Sequence, residues 1–205
     1  MPPPLLNSNG VFLNIPYDEE FQPLYLAYIV GLYQLGLEPY IASAIPGGKR
    51  RLCRILDLIQ SCRYSIHDLS RVELSSTGLG TPRFNMPLEL GMTITWAELH
   101  EELHVWFVFE SKHRRLDHST SDLGGTDANI HMGTAEGILG ELRNAFVSEH
   151  APSVARMLND YLSVQKSVER VLEKAGTRNL YAASVFRELC FLAWKAASRR
   201  RDSTK

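Results

Sequence analysis

Short apolar runs, set between segments of helical periodicity, constrain the fold of this chain more than any other feature. Residues 11–15 (VFLNI), 40–44, 63–69 and 104–109 (HVWFVF) are each too brief for a stable helix and read as strands. In the third of these, Tyr64 and Ile66 point to one side. Residues 127–131 read as a short edge strand. Between the runs, residues 18–35 repeat apolar side chains at Phe21, Leu24, Tyr25, Tyr28, Ile29 and Leu32, and Gly36 supplies a stop. Residues 49–61 place Leu52, Ile55, Leu56 and Ile59 on one helical face. A third helix opens with Asn85 expected as its N-cap and Pro87 in its first turn, and a fourth covers 134–149. Strands alternating with helices imply an α/β fold with a parallel sheet and right-handed crossovers.

From Ala151 onward the pattern is helix only. Val154, Met157, Leu158, Tyr161, Leu162, Val168, Val171 and Leu172 keep an amphipathic rhythm, and residues 180–197 form a further helix beyond Gly176 and Asn179. The expected organisation is an α/β domain over 1–150 and a helical hairpin over 151–205, which packs on the sheet or joins copies of the chain. A chain of 205 residues with 44% hydrophobic and 22% charged side chains can bury its own core. A formal net charge of −1 argues against a dedicated nucleic-acid binder. Lys49, Arg50, Arg51 and Arg54 cluster, as do Arg199, Arg200 and Arg201. Such clusters are usually solvated faces; the first could also contact phosphate near a pocket, and the second an acidic partner. Three cysteines without CxxC spacing fit reduced thiols. The opening MPPPLLNSNG lacks the features of a signal peptide, and no apolar run approaches a membrane span. A cytoplasmic protein without a membrane partner is the expectation.

In doubly wound sheets the first and third strands are neighbours, and their carboxyl ends face one crevice. That crevice would receive Asn14, Tyr17 and Asp18 from the first strand, and His67, Asp68, Ser70 and Arg71 from the third. Glu89, on the following helix, would reach the same place with Asn85 one turn before it. Near a helix N-terminus its pKa should be lowered, keeping the carboxylate ionised at neutral pH. Such a group can stabilise an oxocarbenium-like sugar carbon, bind ribose hydroxyls or attack the anomeric centre. Asp68 is a candidate to orient a base or ribose, Arg71 to meet phosphate and Tyr17 to stack on a base.

The segments VFLNIPYDEEFQPL, CRYSIHDLSR and PRFNMPLELG resemble a bacterial group related to Toll/interleukin-1 receptor (TIR) domains and nucleoside 2-deoxyribosyltransferases. The resemblance covers residues 11 to about 146. It implies a flavodoxin-like sheet and a catalytic glutamate on the helix after the third strand, which falls on Glu89. TIR-like enzymes cleave the nicotinamide–ribose bond of NAD as a substrate, some cyclise the product, and several serve antiviral defence. The deoxyribosyltransferase side implies cleavage of a nucleoside's glycosidic bond, with an aspartate near the base. A non-enzymatic nucleotide-sensing module, assembled as a homo-oligomer through its C-terminal helices, is the third alternative.

Two weaker signals are set aside. His100-Glu101-Glu102-Leu103-His104 matches HExxH, but its second histidine opens a β-rich run, so the imidazoles need not share a helical face and no metal site is expected. Gly78-Leu79-Gly80 and Gly124-Gly125 neither follow a strand nor open a helix as phosphate loops do.

Overall fold

The computed structural model describes residues 6–45, 48, 50–72, 83–115, 123 and 125–202. Its elements run β1 (Asn7–Asn14), α1 (Gln22–Gln34), β2 (Glu38–Tyr40), α2 (Arg51–Ser61), β3 (Cys62–Asp68), α3 (Asn85–Leu99), β4 (Val105–Glu110), β5 (Asn129–Ile130) and α4 (Ala135–Ala145). Three helices follow: α5 (Val154–Gln165), α6 (Val168–Ala175) and α7 (Ala183–Asp202). The five strands are all parallel in the order β2-β1-β3-β4-β5, a flavodoxin-like arrangement. β1 and β3 are therefore neighbours, with Asn14 opposite His67 at their carboxyl ends.

Alternation along the strands divides the molecule. Val11, Leu13 and Ile66 face the core that α1 and α4 complete, whereas Phe12 packs on Ile55 and Ile59 of α2. α1 is buried at every position from Leu24 to Leu32, because the sheet covers one side and α4, α5 and α7 cover the other. It ends in a Schellman motif: Leu37 N–H bonds the Leu32 carbonyl and Gly36 N–H the Tyr33 carbonyl, with Gly36 at φ 80°. The C-terminal helices thus share one continuous core with the sheet, from Val11 through Met157 and Tyr161 to Leu189. Among the described residues no helix is long and apolar enough to cross a membrane.

Several boundaries differ from expectation. The second strand is Glu38–Tyr40, and Ala42–Ala44 forms a single 3-10 turn; an edge strand needs few residues, and Ile41 and Ala42 are already buried against neighbours. The C-terminal region holds three helices rather than two, because Lys166 and Ser167 break the run between α5 and α6. Phe84, not Asn85, occupies the N-cap position of α3 and makes no side-chain cap bond, so Asn85 is the first helical residue. The glycine pair at 78 and 80 lies outside the described residues, as does Gly124.

Candidate active site

The crevice begins with one asparagine. Asn14 Nδ2 lies 2.9 Å from His67 Nδ1 and donates to the Met86 carbonyl at 3.0 Å, tying β1 to β3 and to the first turn of α3. With both amide hydrogens so used, His67 Nδ1 accepts, and its Nε2–H donates to Ser65 Oγ at 3.1 Å. Ser65 Oγ in turn lies 2.9 Å from His104 Nε2, and His104 Nδ1 lies 2.8 Å from the Cys62 carbonyl. Burial, reinforced by nearby His104, pushes His67 down to about 3. It is a neutral post that fixes the crevice wall, not a proton donor. The same chain of bonds occupies both nitrogens of His104, while His100 stacks on Trp96 at the end of α3. The two histidines of the HExxH segment therefore do not share a site.

Glu89 stands on the fifth residue of α3 and is only 4% exposed. Burial raises its pKa from 4.5 to about 7, although the charge of Arg51 and a hydrogen bond from Asn85 both favour the ionised form. This corrects the sequence expectation: removal from water outweighs the helix end, because Glu89 lies a full turn inside a helix whose first residue is already Asn85. Arg51, the first residue of α2, holds its guanidinium 5.5 Å from the ring centroid of Tyr17, just past β1. Burial carries the Tyr17 phenol up to about 12, against the opposing effects of Arg51 and a hydrogen bond with Ser43. The Tyr17 ring also meets Tyr181 edge-on at 5.0 Å. Glu89, Asn85, Arg51, Tyr17 and Ser43 form one polar group: a carboxyl that exchanges its proton near neutrality, a phenol that keeps its own, and an exposed cation.

The remaining candidates sort elsewhere. Arg71 does not stand free for phosphate: it pairs with Asp18 at 3.0 Å and Glu20 at 2.6 Å, and Arg83 adds a contact to Asp18 at 2.7 Å. Asp18 also caps the 3-10 turn Glu19–Phe21, and its carbonyl accepts from Tyr181 Oη at 2.7 Å. Asp68 is fully buried and turns to the opposite face of the sheet, because it follows Ile66 by two residues. There it accepts from Tyr28 Oη at 2.8 Å and Ser70 N–H at 2.9 Å, and lies 3.3 Å from His131 Nε2. In this structure Asp68 pins β3 to α1 and to the β5–α4 turn and offers no oxygen to the crevice that holds Glu89.

Arg51 and Ser43 are the site residues that sequence reasoning did not single out, although the basic cluster at 49–54 signalled the first. A cavity of about 500 Å³ lies elsewhere, between the β2 edge and α7, lined by Tyr33, Tyr40, Phe186, Cys190, Phe191 and Trp194. Comparison with protein-family models finds no match, and no curated protein matches the chain significantly.

Proposed function

We propose that this chain cleaves an N-glycosidic bond at a ribosyl carbon, with the nicotinamide–ribose bond of NAD as its substrate. One observation carries the reading: Glu89 is a buried carboxyl beside an exposed arginine, at the carboxyl ends of β1 and β3. The ionised Glu89 stabilises positive charge as the C1′–N bond breaks and its electron pair passes to the nicotinamide nitrogen. Water then adds to C1′ and loses a proton to the same carboxylate, giving ADP-ribose. Arg51, exposed and without a carboxylate at ion-pair distance among the described residues, meets the diphosphate. Asn85 holds the carboxylate, and the Asn14–His67 pair fixes the helix that carries it.

The proton affinity of Glu89 also favours a second reading, an N-glycosidase or 2-deoxyribosyltransferase acting on nucleosides or nucleotides. A neutral base leaves more readily when protonated, and a carboxyl near 7 can supply that proton. The test is to incubate wild type and Glu89→Gln with NAD and with nucleosides across pH 5 to 9. Nicotinamide release that rises through about pH 7, and falls at least about a hundredfold in the variant, supports NAD cleavage. Free base from nucleosides, falling above pH 7, moves the assignment to the second reading. Equal turnover by both proteins overturns the catalytic role of Glu89.

A further inference from the structure

Helices α1 and α3 both carry apolar side chains on more than one face rather than along one stripe. α1 is enclosed by the sheet and by α4, α5 and α7. α3 packs inward through Met86, Leu90, Thr93 and Ala97, yet Phe84, Leu88 and Leu99 on its outer side are 70%, 60% and 73% exposed. With Gly91 and Thr95 between them, these residues follow helical spacing along one outward ridge. Thr95 Oγ1 donates back to the Gly91 carbonyl at 2.9 Å, so the one hydroxyl of the ridge is already satisfied. Leu52 and Leu56 of adjacent α2 are exposed as well. Among the described residues no helix of the chain covers this face, whereas the opposite face of the sheet carries a second helical layer.

The charges around the ridge are ordered. Where α2 begins, beside the start of α3, Arg50 is exposed; where α3 ends, Glu98, Glu101 and Glu102 are exposed. We infer that the α2–α3 face binds a second copy of this chain, with the two α3 helices crossing antiparallel at Gly91. A two-fold axis there sets the acidic end of each α3 over the basic end of the other copy, so the surface complements itself. It also puts a residue without a side chain at the point of closest approach, midway between Phe84 and Leu99. Glu89 lies on the inward side of α3, so pairing leaves its crevice intact. The inference stands whether or not the chain cleaves a glycosidic bond.

Gly91 gives a clean test, because a Cβ there meets no residue from elsewhere in the chain within 4 Å. Sedimentation velocity of the full chain, from micromolar to millimolar concentration, should show a reversible dimer. Gly91→Arg should weaken it by at least about tenfold, with circular dichroism unchanged and a monomer Tm no lower than wild type. Glu98→Lys should weaken it too, and adding Arg50→Glu should restore it. A wild type that stays monomeric throughout overturns the inference. So does a dimer that Trp194→Glu on α7 dissociates while Gly91→Arg leaves it intact, and failure of the charge exchange overturns the antiparallel crossing.

Discussion

A carboxyl that titrates near 7 instead of 4.5 makes Glu89 a burden on the fold above neutrality. The native state holds this proton more tightly than the unfolded chain does. Its contribution is therefore complete below pH 4.5 and lost as pH rises through 7, about 3 kcal/mol in all. Glu89→Gln carries no such charge, so chemical denaturation should find it more stable than wild type at pH 8 and equal to it at pH 4.5. A variant less stable than wild type at pH 8 would show that the carboxylate is solvated or firmly paired. The two arginines separate by their partners: Arg71 is held by Asp18 and Glu20, whereas Arg51 lies over the Tyr17 ring, hydrogen-bonds the Tyr17 hydroxyl and faces the charge of Glu89. Steady-state kinetics on NAD should show Arg51→Ala raising KM about tenfold or more with Arg71→Ala leaving it near wild type. The reverse order would return the phosphate contact to Arg71.

At the scale of elements, the turn from β5 into α4 is built on constrained backbone. His131 lies beside Asp68, Met132 follows at φ 54°, and a Cβ at Gly137 would come within 2.0 Å of the His131 carbonyl oxygen. Helix propensity alone favours Gly137→Ala by about 1 kcal/mol, but a clash with fixed backbone outweighs it. Thermal unfolding should show Gly137→Ala destabilised by roughly 2 kcal/mol or more; an unchanged or higher Tm would mean that the turn yields at little cost. The elements themselves were largely legible: strands β1, β3 and β4 stand out as apolar runs, and Gly36 marks the end of α1. Where local pattern misled, tertiary contacts had taken over. Residues 42–44 look like strand but turn, because the β2 edge ends at Tyr40. Asn85 has cap chemistry, yet its side chain serves Glu89 one turn on.

Across the whole molecule, the sheet order could be anticipated from strand–helix alternation, and with it the meeting of Asn14, Tyr17, His67 and Glu89 near one crevice. Which face each strand residue takes follows from the period of two, and this separates His67 from Asp68. The energetic balance at Glu89 was not legible, since burial depends on packing between α2 and α3 that no local pattern encodes. Nor was the ion-pair group around Asp18, whose members come from positions 18, 20, 71 and 83. The account rests on the crevice at Glu89 being where a ribosyl carbon is held, and not the aromatic cavity beside α7. A crystal structure of Glu89→Gln soaked with NAD tests this most directly. The expected result places C1′ of the nicotinamide ribose about 3.5 Å or less from the residue 89 carboxamide, with the diphosphate on Arg51. Density for the dinucleotide against Trp194 and Tyr33, with the crevice at residue 89 empty, would contradict it.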